Sequence, residues 1–412
     1  MTRLVFFLNG SLLTALSLGL ITAGVLHPQA PVLEITVSTG SHVRTDTPVS
    51  VVLPENFQTV TLMEITSIAG KEIPVQLEPG NPPRLHWILS GTTPAREVRT
   101  FRLTAEQPTL PPKSSVSVNP QLEVHFRGRP VLRYNSKPVS PPDKMAAVGA
   151  RSAYIHPLWT PSGRIVTDDF PSDHPHQRGI FFAWTKTKFK GRRPDFWNLG
   201  GETGSVRFDR MENRQSGPVF GSFQVQHQHL DSSTFPQQNI LKEQWKIQVF
   251  ALGPDSKGHL FDLKSHQQCA TTSPLELPQY RYGGFALRGS QEWRKNPVEF
   301  LTSEGKDRLT GDASRARWCA ISGQVKGQAV TVIIFCHPDN YRAPQPLRIH
   351  PRDPYFNFSP VRIGPMKIEP GQPYVSQYRV LAADGKISDQ EAQKLWQDYA
   401  DPPQIQIRSW RP

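Results

Sequence analysis

The spread of its prolines constrains this chain more than any other feature. Forty prolines and 29 glycines make up about one residue in six of the 412, and the prolines run from one end of the chain to the other. A proline inside a helix removes a hydrogen bond and strikes the preceding turn, which argues against a helical bundle. The same punctuation suits short strands joined by many turns. With 37% hydrophobic and 20% charged residues, the chain can pack a core under a solvated surface, and disorder is excluded for most of its length. At about 150 residues per domain the length admits two or three units.

Beyond residue 31 one strand-like run follows another: 32–37, 49–53, 59–65, 73–77, 84–89 and 98–103. A spacing of about 10–12 residues predicts a small β-sandwich or barrel over residues 31–112. Pro108 to Pro112, with Lys113-Ser114-Ser115 behind them, reads as a linker. A larger unit, residues 118–402, opens with a hairpin (122–126 and 130–134) around Arg127-Gly128-Arg129. Long strands are expected at 219–229, 240–252 and 259–271, and further ones at 282–287, 317–325, 329–336 and 374–381. In the first of these Phe223, Val225, His227 and His229 recur at period two and share one face, opposite Gln224, Gln226 and Gln228. His227 and His229 read as partly exposed strand residues. Only residues 388–399 read as a helix, with Ser388 as N-cap and Glu391 closing a capping box. The predicted fold is all-β: a large antiparallel sandwich preceded by a smaller one, with one C-terminal helix.

The termini and charge bound location and partners. After Met1-Thr2-Arg3, residues 4–26 are uncharged and mostly apolar, followed by His27-Pro28-Gln29-Ala30. This reads as an export signal over residues 1–30, cleaved near Ala30 or retained as a membrane anchor. The net charge of +12 favours anionic partners, yet no recognised nucleic-acid motif accompanies it, so an acidic glycan is preferred over nucleic acid. Cys269, Cys319 and Cys336 are too few and too far apart for a disulfide framework. They read as buried free thiols, with a Cys319–Cys336 hairpin bridge as the alternative.

The densest polar segment is Asp173-His174-Pro175-His176-Gln177-Arg178-Gly179, preceded by Asp168-Asp169 and followed by the apolar 180–184. Proline biases His174 toward extended backbone, and in an extended segment both imidazoles would point one way. Imidazole suits acid–base work near neutral pH, and arginine holds a developing negative charge. Companion segments are Tyr154-Ile155-His156-Pro157, Asp195-Phe196-Trp197, and Phe335-Cys336-His337-Pro338-Asp339-Asn340, which ends an apolar run. A metal held by the His174/His176 pair with His156 or His337 and a carboxylate is a lesser alternative, and no cofactor motif is present. The basic run Lys186 to Arg193 reads as a solvated loop or as an electrostatic rim for an acidic glycan.

These residues resemble the bacterial PmoA-like family. The likeness rests on Asp173-His174-Pro175-His176-x-Arg178-Gly179, Asp195-Phe196-Trp197, Tyr282-Gly283-Gly284-Phe285 and His337-Pro338-x-Asn340, and it runs on through Pro370-Gly371 to Arg379-Val380. Members commonly carry a further histidine where this chain has Gln177. The resemblance implies a β-rich protein associated with polysaccharide degradation. Methane oxygenation, which the family name suggests, lacks a ligand set and the spanning helices here. The layout is also similar to the sandwich of galactose mutarotases, at the level of fold alone. The expected site is a carbohydrate pocket with His174, His176, Arg178, His156 and His337 as catalytic residues. Asp195, Trp197, Asp173, Tyr282 and Asn340 would bind substrate. Epimerase, lyase and hydrolase chemistry stay open, as does a non-catalytic glycan-binding or envelope-structural role.

Overall fold

The structure is a computed structural model and describes residues 32–410 apart from 56, 66–70, 107–114 and 254–255. The export segment and the 108–112 linker lie outside the described residues. Every strand pairing is antiparallel. The smaller sandwich packs a five-stranded sheet against a three-stranded one. Strand Val32–Ser38 sits between Val98–Thr104 and the chain's last strand, Gln404–Ser409. The C-terminal end therefore returns to complete the first unit, with Ile35 opposite Ile407. Ile35, Val37, Leu62, Trp87, Phe101 and Leu103 form its core. The run 73–77 is split, because Pro74 separates Lys71–Ile73 of one sheet from Val75–Glu78 of the other. A proline cannot donate to the ladder, so it marks the crossing point.

The larger unit stacks two eight-stranded sheets. In the first, Ile180–Ala183 lies between Tyr154–Leu158 and Gly284–Arg288, and Tyr355–Phe358 and Leu347–Ile349 follow outward. The second centres on Gly258–Cys269 and Tyr374–Asp384. The core between them is continuous, and includes Phe181, Trp184, Phe223, Trp245, Phe285 and Tyr378.

In strand Phe220–Asp231 the expected faces hold: Phe223, Val225, His227 and His229 are buried, and the glutamines between them are half-exposed. The exposure assigned to the two histidines does not hold, because both are 1% exposed or less. They are buried because Glu243 sits between the sheets to receive them. Its carboxylate accepts from His229 Nε2 (2.8 Å), Trp245 Nε1 (2.7 Å), Ser265 Oγ (2.6 Å) and Gln267 Nε2 (3.0 Å). His227 in turn meets the Tyr134 hydroxyl at 2.6 Å. Full burial opposes ionisation of Glu243, but the bonds from both histidines outweigh it and hold the carboxyl well below its usual range.

Helix Asp389–Ala400 begins at Ser388 with both bonds of the capping box formed. Ala392, Leu395, Trp396 and Tyr399 cover the outer face of the second sheet at Trp318, Phe335 and Leu381. Asp398 then bonds Arg44 (3.0 Å) and Thr47 (2.9 Å), joining helix to small sandwich. A one-turn helix, Arg308–Gly311, had no sequence signal long enough to read. Cys319 and Cys336 are free buried thiols. Cys319 faces Ile334 across the ladder, so the register removes the alternative of a bridge. No helix among the described residues is long and apolar enough to cross a membrane.

Candidate functional site

Gly179 lets the histidine segment approach the sheet. Its φ is +44°, and a Cβ there would lie 2.0 Å from the Ile155 carbonyl oxygen, closer than any side chain tolerates. From this point the chain enters strand Ile180–Ala183 on one side and the loop 168–178 on the other. The loop is not extended at the histidines. The Gln177 N–H donates to the His174 carbonyl (2.9 Å), which closes a turn with Pro175 at its second position. The turn, rather than a two-residue repeat, brings the imidazoles together, with ring centres 5.7 Å apart and nearly perpendicular.

Both imidazoles line a cavity of about 190 Å³. Trp197, Tyr282 and Tyr355 form its aromatic wall, and Gln177, Asn198, Arg281, Arg348 and His350 complete it. Trp197 packs on Phe181 (4.7 Å) and Tyr282 (5.2 Å). Asp195 holds this wall in place. One of its oxygens accepts the Trp197 and Asn198 N–H groups (2.8 and 2.9 Å), and the other accepts from the Thr185 hydroxyl and the Asn198 amide. Burial, with the neighbouring His174 adding to it, lowers His176 to about 4. The same two causes lower His350 to about 4. At neutral pH both rings are unprotonated and can accept a proton.

Behind the cavity Asp173 is committed to the fully buried Arg288, which donates to both of its oxygens at 2.9 Å and also to Gln177 Oε1 (3.1 Å). Partial burial opposes ionisation of Asp173, but the bonded guanidinium holds its carboxyl well below the usual range. His174 Nδ1 lies 3.2 Å from an oxygen of Asp173 and 3.2 Å from one of Asp353. His350 Nδ1 is 2.9 Å from the same Asp353 oxygen. His174, His350 and Asp353 offer ligand atoms within 4.8 Å of one another and are the described residues able to share a metal ion.

Of the ten residues singled out from sequence, His174, His176, Trp197 and Tyr282 line the cavity, and Asp173 and Asp195 stand directly behind it. The other four are elsewhere. Arg178 is fully buried, bonded to Asp169 (3.1 Å) and lying under the Phe170 ring. His156, on the interior strand Tyr154–Leu158, meets Thr167 Oγ1 at 2.9 Å. His337 packs on Tyr399 of the C-terminal helix. Asn340 exchanges two bonds with the Gln377 backbone (2.8 and 2.7 Å) and so pins the strand end. Among the described residues neither His156 nor His337 comes together with His174 and His176 in a group able to hold a metal.

The residues missed are His350, Arg348, Tyr355, Asn198, Arg281 and Asp353. Ile349-His350-Pro351-Arg352-Asp353-Pro354-Tyr355 carries the same signal that drew notice to His337: a histidine and proline closing an apolar strand.

Residues 121–397 match the model of a family of unknown function, DUF6807, whose description makes no reference to methane oxygenases. Among curated proteins none matches the chain. Two solved structures are similar in part. An alpha-mannosidase from Enterococcus faecalis V583 shares 10% identity over 93% of this chain and 47% of that one, with a TM-score of 0.39. A glycosyl hydrolase family 38 protein from Enterococcus faecalis shares 10% over 92% and 47%, with a TM-score of 0.37. The chain spans about half the length of either.

Proposed function

We propose, on the premise that this chain belongs to the DUF6807 family, that it is a carbohydrate-active protein that moves a proton at a sugar ring held in the histidine cavity. The observation that carries the reading is the meeting of three imidazoles with an aromatic wall and two guanidinium groups around one cavity. The half-buried Tyr282 offers the face on which a sugar ring stacks, and the buried Trp197 backs it at 5.2 Å. The unprotonated His176 takes a proton from a ring carbon that bears a carboxylate or adjoins a carbonyl, the C–H electron pair moves into that C=O group, and Arg348 or Arg281 stabilises the negative charge that develops on its oxygen. His174, on the same turn as His176 and set between Asp173 and Asp353, returns a proton. Glycoside hydrolysis by paired carboxylates needs both carboxyl groups at the bond, whereas among the described residues no aspartate or glutamate lines this cavity. Epimerase or lyase chemistry is therefore preferred to hydrolysis. Export by residues 4–26 belongs to the same proposal, and the N-terminal sequence of protein recovered from the native cell envelope tests it.

The test is a sugar panel in deuterated water, read by NMR for deuterium entering a ring carbon and by absorbance for an unsaturated product. Wild type is expected to give one of these signals and His176→Ala to lose at least about 100-fold in rate, the scale of a general base. Equal rates for the two proteins on every active sugar would overturn the role of His176. Saturable binding without either signal would leave a glycan-binding protein.

A further inference from the structure

Two larger clefts neighbour the histidine cavity, and the residues they share set the three side by side along one path over the surface. Asn198 lines both the histidine cavity and a cleft of about 480 Å³, and Lys188 and Arg193 line that cleft and the next, of about 490 Å³. The path is walled by residues 185–193, in which exposure alternates. Thr185, Thr187 and Phe189 are buried, and Lys186, Lys188 and Lys190 stand out on the opposite face. The backbone of Lys188 is pinned by two bonds to Glu276 (2.9 and 3.0 Å), so the lysines are presented from a fixed ribbon.

The charges along this path are not balanced. Among the described residues no carboxylate lies within ion-pair distance of Lys186, Lys188, Lys190, Arg193 or Arg281; Arg192 is paired, with Asp231 at 2.6 Å. Of the two acids in the clefts, Asp195 is committed to its own loop and Glu276 faces Lys367. Aromatic surface accompanies the cations: Lys186 lies over Tyr280 (5.4 Å) and Lys190 over Phe189 (5.6 Å). Several unneutralised cations on one rigid wall raise the local concentration of a polyanion. A neutral chain would gain none of this electrostatic attraction.

We propose that the substrate is a polyanionic glycan chain, with one residue in the histidine cavity and its neighbours along the Lys186–Arg193 wall. The inference rests on the proposed sugar chemistry only for the cavity, and the wall is testable without turnover. The anionic groups are carboxylates or sulfate esters, since both meet lysine and arginine by the same charge-assisted bonds.

The experiment titrates full-length protein with galacturonate dimer and hexamer, a sulfated galactan hexamer, maltohexaose and a single-stranded DNA hexamer, and follows tryptophan fluorescence. An acidic hexamer is expected to bind at least about tenfold tighter than the galacturonate dimer and than maltohexaose. Its affinity should fall at least about fivefold between about 50 and 300 mM salt, because the cations are exposed. The preferred hexamer identifies carboxylate or sulfate. Lys188→Gln/Arg193→Gln is expected to weaken the acidic hexamer by about fivefold or more and the dimer by less. Lys326→Gln, an exposed lysine outside the path, should bind as wild type. Equal affinity for maltohexaose and the acidic hexamers, a flat salt response, or tighter binding of the DNA would each overturn the proposal. Sugar turnover persisting alongside such a result would show that the wall, not the cavity, had been misread.

Discussion

Replacing Asp173 by asparagine tests whether the histidine turn is held by buried charge. Arg288 has no exposed surface, and its side-chain partners are Asp173, at 2.9 Å to each oxygen, and Gln177 at 3.1 Å. Asparagine keeps the shape and one acceptor but removes the charge, so one charge-assisted bond is lost and the other weakened. Such a bond contributes about 1.5–3 kcal/mol, and a buried cation deprived of its partner costs about 3–5 kcal/mol. The remaining amide oxygen and Gln177 offset part of this, so a loss of about 3 kcal/mol is expected. Urea unfolding at neutral pH, followed through the chain's nine tryptophans, measures it. Arg288→Met removes the stranded charge, and the double variant should be more stable than the sum of the two single losses by at least about 1 kcal/mol. The folded-state pKa of Asp173 is depressed, so its contribution is complete above the ordinary aspartate value of 3.8 and is lost as pH falls through the folded value. The acid-side loss of stability should be smaller in Asp173→Asn than in wild type. A destabilisation below about 1 kcal/mol with additive double-mutant energies would refute the argument.

Three other substitutions follow from the same geometry. Gly179→Ala places a methyl 2.0 Å from a backbone oxygen at a φ of +44°, so a loss of more than about 3 kcal/mol or insoluble protein is expected; a melting temperature within a degree or so of wild type would contradict it. Burial raises Asp168 to about 6, and its Oδ2 has no partner while Oδ1 accepts the Asp169 N–H at 2.9 Å. Its charge therefore opposes folding above pH 6, and stability recovers as pH falls from 6 toward 3.8. Asp168→Asn should stabilise at pH 7.5 by up to about 3 kcal/mol and lose that advantage by pH 4, as read from urea midpoints at the two pH values. Ser388→Ala removes the acceptor of the Glu391 N–H at 3.2 Å and should cost about 1 kcal/mol, visible as earlier loss of the C-terminal helix in hydrogen exchange.

Local signals carried the fold a long way. Capping chemistry at Ser388 and Glu391 acts within one turn of chain, so the helix was readable to within a residue. The alternation from Phe223 to His229 is equally local, and the face it assigned is the buried one. Burial of His227 and His229 themselves was not readable, because Glu243, which makes it tolerable, stands on the neighbouring strand and its ionisation depends on what closes over it. The histidine turn was found for its composition but by the wrong geometry: proline at 175 favours a turn once Gln177 can bond back to His174.

By itself the amino-acid sequence determined that this chain is built of short strands, where its helix begins, and that residues 173–179 are unusual. Those features follow from backbone sterics and side-chain periodicity, which act over a few residues. Tertiary structure alone decided which histidines meet. His337 and His350 both end an apolar strand beside a proline, and nothing local separates them. One lies against Tyr399 of the C-terminal helix, and the other follows Leu347–Ile349 at the edge of the sheet that carries the histidine turn. Strand order is set by long-range pairing and by the burial of whole faces, so it places side chains that no neighbouring residue specifies.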